Sequence, residues 1–200
     1  MTKIFLDIET SALEPGWNDG YFGEILELAI GLEGEDGSYT EHVWRFRPLE
    51  PAGHHPESIS VNGYNWRMKN YILSDIAKSI QAIHDLLFNR KALIIGHNVQ
   101  FDLHYLNFWF EEYQIEPIPV RGIDTMTLVH EHLSVIGLHR LGMSSVRSFL
   151  GMSAENAHCA LFDMRDTRYL YHKLSRASSL NRLMWKLRAQ LALNIRKKEE

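Results

Sequence analysis

The chain has 200 residues, 45% hydrophobic and 23% charged, with a formal net charge of −4; this fits one compact domain with a real core and excludes global disorder. Its single cysteine, Cys159, excludes an internal disulfide and suits a reducing compartment. The N-terminus lacks the apolar core of a secretory signal, and no apolar run approaches the roughly 18 residues of a membrane span, so a soluble cytoplasmic protein with no membrane partner is expected.

Charge is uneven along the chain. Residues 1–164 hold 11 Lys/Arg against 22 Asp/Glu, whereas residues 165–200 hold 10 against 3. An acidic body with a basic end suits a carboxylate-lined metal site beside a phosphate-contacting helix, and equally a solvated amphipathic tail.

Lys3–Asp7 reads as a short buried strand, followed by a long Gly/Pro/Asn-containing loop from Ser11 to Gly23. Glu24–Leu32 and Tyr39–Phe46 form the next two strands around a Glu35-Asp36-Gly37 turn. A Pro/His/Gly-rich connection then leads to a helix capped by Ser74, with Ile76, Ile80, Ile83 and Leu87 on one stripe. Ala92–Gly96 is a continuous apolar strand covered on both faces. A helix through Leu103–Tyr113, a strand at Val120–Asp124, and helices near Thr125–Ser134 and Ser144–Leu150 follow. From Ala160, the residues Met164, Thr167, Tyr171 and Leu174 trace another helical stripe; Leu180, Leu183, Leu187, Leu191 and Ile195 trace a last one. Three early strands followed by alternating strands and helices describe an α/β domain, a mixed sheet flanked by helices. The boundaries are 1–175 for the domain and 176–200 for a basic amphipathic C-terminal helix.

Chemistry concentrates at three places. Asp7 and Glu9, two apart on a strand, project to one face. Adjacent carboxylates repel unless a cation lies between them, and a hard divalent ion such as Mg²⁺ or Mn²⁺ is the usual solution. A bare Asp-x-Glu is common, however, and also describes two solvated side chains at a strand end. The second place is His97-Asn98-Val99-Gln100-Phe101-Asp102, where a buried strand runs through a polar turn into a helix. Asp102 can serve there as a helix-start carboxylate, and His97 and Asn98 as turn formers. The third is His158-Cys159-Ala160-Leu161-Phe162-Asp163. Side chains five apart on one helix diverge by about 140°, so His158 and Asp163 share a site only if the helix starts after His158. A loop histidine can then take a proton from water near neutral pH. Asp166, one turn on, competes with Asp163 as a ligand.

Taken together, these segments resemble the DEDD exonuclease superfamily, in its DnaQ-like, histidine-bearing (DEDDh) branch. The family's strand–Asp-x-Glu-Thr motif matches Phe5-Leu6-Asp7-Ile8-Glu9-Thr10; its His-Asn-x-x-Phe-Asp matches His97 to Asp102. Its His-x-Ala-Leu-x-Asp matches His158 to Asp163, with the following threonine at Thr167. Cys159 stands where the tyrosine branch would carry tyrosine. Ser60-Val61-Asn62-Gly63 lies where a Val-His-Gly turn is common, and Ile123-Asp124-Thr125 begins a helix with Asp124 as its cap. The resemblance covers residues 3–174.

The resemblance implies a ribonuclease H-like sheet, its first three strands antiparallel and the rest parallel. It also implies metal-dependent 3′→5′ hydrolysis of single-stranded nucleic acid to nucleoside 5′-monophosphates. Asp7, Glu9, Asp102 and Asp163 would hold two Mg²⁺ or Mn²⁺ ions about 3.5–4 Å apart. Asp7 would bridge both, Glu9 and Asp163 would serve the water-activating ion, and Asp102 the second; His158 would be the base. Thr10, Asn98 and Phe101 fall within the matched motifs as substrate contacts.

Trp17, Tyr21 and Phe22 can stack on terminal bases or pack locally under their loop. Arg165, Arg168, Lys173 and Arg176 can track phosphates. DNA is favoured over RNA, which the same chemistry would trim; an accessory or proofreading-type subunit docked through the C-terminal helix, or a homodimer, is the further alternative. The pairs His54-His55 and His130-x-His132, with His139, lack any HExxH or Cys-pair frame, so structural zinc is not expected.

Overall fold

The computed structural model describes residues 1–65, 67, 73–88, 92–119, 122–178, 181, 183–185 and 187. Strand β1 (Lys3–Thr10) sends Ile4, Leu6 and Ile8 into one core and Phe5 into another, as its period-two geometry requires. Both faces of the strand are therefore covered. Each such side chain, fully buried, stabilises the fold by about 1.5–3 kcal/mol.

The segment expected to be a loop instead contains a small two-stranded ribbon, β2 (Gly16–Asn18) and β3 (Tyr21–Gly23). Gly16 holds a left-handed φ of +71°, and a Cβ on Gly23 would lie 1.8 Å from the Glu14 carbonyl oxygen. Ser11 clamps the ribbon: its Oγ donates to the Phe22 carbonyl at 2.8 Å and accepts from the Glu24 amide at 2.8 Å. Sequence periodicity could not show a ribbon held by backbone contact rather than by an apolar stripe.

Strands β4 (Ile25–Glu33) and β5 (Tyr39–Arg45) follow as an antiparallel hairpin. The connection after β5 holds a 3₁₀ turn at Pro51–Gly53 and a short helix, α1 (Pro56–Asn62), that the sequence pattern did not reveal. Helix α2 (Ile76–Leu87) is capped by Asp75, not Ser74; the Ser74 amide donates instead to the Arg45 carbonyl at 2.7 Å. Strand β6 (Leu93–Gly96) and helix α3 (Val99–Glu112) come next, then β7 (Gly122–Asp124) and α4 (Thr125–Leu133). Val120, expected to open β7, lies outside the described residues. Helices α5 (Met143–Leu150) and α6 (Ala160–Ser175) complete the described body.

The main sheet runs β5-β4-β1-β6-β7. β1, β4 and β5 pair antiparallel, and β6 and β7 continue parallel. One face packs Ile4, Leu6, Leu28, Ile30 and Ile94 against Ile80, Ile83 and Leu87 of α2 and Leu103, Leu106 and Phe110 of α3. The other face packs Phe5, Ala29 and Ile95 against Ala160 and Met164 of α6. A separate cluster of Val129, Leu133, Val146, Leu170 and Leu174 joins α4, α5 and α6, with Trp185 packed against it.

Asn181, residues 183–185 and Leu187 are helical. The other positions expected in the C-terminal helix, including Arg182, Lys186, Arg188 and Arg196, lie outside the described residues. Among the described residues, no helix is long and apolar enough to cross a membrane.

Candidate active site

Three elements meet at the C-terminal half of β1. Gly96 ends β6, where a Cβ would lie 2.8 Å from the Val99 side chain; its absence lets the start of α3 approach the sheet. Asn98 turns the chain with a left-handed φ of 74°, its amide donating to Asp124 Oδ1 at 3.0 Å. Asp102 then faces β1 from the first turn of α3, buried, and accepts from the Ile8 amide at 3.0 Å. That hydrogen bond ties the second motif to the backbone between Asp7 and Glu9.

Helix α6 starts at Ala160, after Cys159, and His158 precedes it in the left-handed region with a φ of +63°. The histidine therefore stands on the loop while Asp163 projects from the first turn. One ligand-capable atom each from Glu9, His158 and Asp163 lies within 4.8 Å of the others.

The electrostatics record how closely the carboxylates crowd. Burial first, then Asp102, Asp163 and Glu9, raises the Asp7 carboxyl well above its ordinary range. Burial and Asp163, Glu27 and Asp102 push Glu9 up to about 8. Burial also raises Asp102, against the pull of the Ile8 amide, and raises Asp163. Crowded carboxylates with an imidazole beside them are a donor set for a divalent cation, which would relieve that repulsion.

A resident cation sits behind them. Arg147 of α5 is 2% exposed; its Nη2 donates to Asp163 Oδ1 at 2.5 Å and its Nε to Asp166 Oδ2 at 2.7 Å. Asp166 is thereby turned to the arginine. Among the described residues Arg147 Nη1 is buried with no partner, and an unmet buried donor costs about 1–3 kcal/mol. Sequence reasoning missed Arg147: a single arginine in a short helix carries no signal until its partners, 16 and 19 residues on, are known.

Glu27 was missed too. It lies opposite Glu9 across β1 and β4, 4% exposed, with Arg45 Nη2 at 2.8 Å and Cys159 donating from Sγ at 3.7 Å. The available signal was a charged residue inside the apolar run of β4.

A cleft of about 310 Å³ opens beside Glu9, lined by Thr10, Leu13, His55, Val61, Asn62 and Phe101 among others. Asn62 donates from Nδ2 to the Thr10 carbonyl at 3.0 Å, so the segment where the family favours Val-His-Gly does meet the first motif. Thr10 and Phe101 line the cleft. Trp17 is not among its lining residues: it is 65% exposed on the ribbon, its ring 5.4 Å from Phe22. Tyr21, on the same ribbon, packs edge-on against His55 at 4.3 Å.

Asn98 is exposed and acts through its backbone in the turn. Arg165 is engaged with Glu41 through two hydrogen bonds of 2.8 and 2.6 Å, on α6 away from the cleft lining. His97 is a turn residue: Nδ1 meets Thr125 Oγ1 and Nε2 meets the Leu141 carbonyl, each at 2.9 Å, and burial lowers its pKa. Asp124 caps α4, accepting from the Met126 amide at 2.8 Å.

No protein-family model matches the chain. It is 31% identical over 167 residues to the DNA polymerase III PolC-type protein of Pediococcus pentosaceus, covering 84% of this chain and 11% of that protein. The PolC-type protein of Latilactobacillus sakei is 27% identical over 182 residues, covering 89% of this chain and 12% of the relative. The chain thus spans about a tenth of the length of these curated relatives.

Among solved structures, E. coli exonuclease I in complex with a dT13 oligonucleotide superposes with a TM-score of 0.70 at 18% identity, over 87% of this chain and 41% of that one. The zinc-bound form of the E. coli exonuclease I–ssDNA complex gives 0.73 at 18% identity, over 92% and 42%. The mixed sheet with its flanking helices is the fold of exonuclease I, and the ribonuclease H-like architecture expected from the motifs is borne out.

Proposed function

We propose that this chain is a metal-dependent 3′→5′ exonuclease of the DEDDh type, acting on single-stranded DNA and releasing nucleoside 5′-monophosphates. The observation that carries the reading is the convergence of Glu9, His158 and Asp163 within 4.8 Å, beside Asp7 and Asp102, with Glu9 in the wall of an open cleft. Two divalent ions, Mg²⁺ or Mn²⁺, held by Asp7, Glu9, Asp102 and Asp163, would supply the positive charge that a phosphodiester needs as negative charge builds on its oxygens.

The chain's own groups do the rest. Leu13, Val61 and Phe101 offer apolar surface to the terminal base, while Thr10 and Asn62 fix the backbone of the cleft wall. His158 takes the proton of the attacking water as its oxygen bonds to phosphorus. The bond from phosphorus to the 3′ oxygen breaks, and the departing alkoxide is protonated from solvent. The exonuclease I structures carry single-stranded DNA, which favours DNA over RNA here. The PolC-type relatives favour a polymerase context; the basic residues 176–200 are the element we assign to docking, on their charge.

Digestion of matched DNA and RNA strands, labelled at the 3′ or the 5′ end, tests this with Mg²⁺ or Mn²⁺ and with EDTA. The expected result is a labelled mononucleotide from 3′-labelled DNA, a shrinking ladder from 5′-labelled DNA, and neither in EDTA. Release of 5′ label as a mononucleotide, or activity indifferent to EDTA, would overturn the reading.

A further inference from the structure

Resting on that reading, we infer that Arg147 is a built-in counter-charge of the metal site, sharing Asp163 with the bound cation and thereby weakening the grip of the site on it. The guanidinium is 2% exposed and lies against the carboxylates from the α5 side. One arm is committed to Asp163, a proposed ligand, and another to Asp166, which is no ligand in this scheme. Its Nη1 has no acceptor among the described residues. Hydrogen-bond satisfaction alone therefore does not account for a buried arginine here; its charge does.

The guanidinium hydrogen-bonds Asp163, which stands within 4.8 Å of Glu9 and His158. A positive charge in that position has two effects of opposite sign. It holds the carboxylates together without metal, and it opposes the arrival of a divalent cation. Asp163 is already aimed by the first turn of α6, so losing the arginine costs little in positioning and removes a repulsion acting over short range in a poorly screened interior. Cation affinity should therefore rise when the charge is removed. Arg147 acts through its charge on Asp163 and is no catalytic residue.

The test is a Mn²⁺ titration of the whole chain, read by EPR or calorimetry and independent of nuclease activity. Arg147→Gln keeps donors for Asp163 but loses the charge, and should bind Mn²⁺ about tenfold more tightly. Arg147→Lys keeps the charge and should stay close to wild type. Asp166→Asn keeps an acceptor for the arginine and removes only a nearby negative charge, so it serves as a second background: Arg147→Gln added to it should bind Mn²⁺ about tenfold more tightly than Asp166→Asn alone, and this pair decides the matter if Arg147→Gln by itself fails to fold. Binding by folded Arg147→Gln no tighter than wild type, or by the double variant no tighter than Asp166→Asn, would overturn the inference while leaving the exonuclease reading intact. A wild-type chain that bound no Mn²⁺ would overturn both.

Discussion

At Glu9 the chain holds a carboxyl whose proton leaves only near pH 8, against an ordinary value of 4.5, because burial and the neighbouring Asp163, Glu27 and Asp102 disfavour its charge. In the metal-free protein the folded state therefore binds a proton that the unfolded state has lost. The Glu9 contribution to stability falls as pH rises from about 4.5 to about 8. Asp7 and Asp102, raised for the same reason, add in the same direction. A series of Tm measurements in EDTA should show this decline, and saturating Mn²⁺ should flatten it by replacing the protons; a Tm rising through that window in EDTA would contradict the crowding. His158→Ala removes the proposed base from a loop position without opening a core. Turnover should drop by about 10²–10⁴-fold while circular dichroism and Tm stay near wild type. A wild-type rate in that variant would remove His158 from the mechanism.

Among the elements, the β2–β3 ribbon was least visible beforehand. It is fastened by Ser11 and by the close approach of Gly23 to the Glu14 backbone, so it presents Trp17 from a fixed platform. With 65% of its surface exposed, Trp17 adds little to the core, and we propose that its ring is open to a base beyond the terminal one. Trp17→Ala should weaken single-strand binding by about 1–3 kcal/mol and leave Tm almost unmoved, as fluorescence anisotropy and thermal melts would show. A large loss of Tm with unchanged binding would mean that the ring serves only its packing on Phe22. Helix α6 shows the opposite case. Its buried side, Ala160, Met164, Thr167 and Leu174, was legible as a stripe, and the start after His158 followed from the demand that His158 and Asp163 share a site.

For the whole molecule, sequence alone determined the five strands of the main sheet, helices α2 to α6 in their order, the two-sided burial of β6, and the three motif segments that hold Asp7, Glu9, Asp102, His158 and Asp163. Those features are local: apolar periodicity follows from the geometry of a strand or helix, and each motif is a few neighbouring residues. Tertiary structure alone decided what stands around them. Arg147 and Glu27 enter the site from α5 and β4, Asn62 fastens α1 to β1, and Arg165 turns to Glu41 instead of the cleft. The physical reason is range: electrostatics and packing act between groups close in space, and no periodicity along the chain records which distant charges will share a low-dielectric interior.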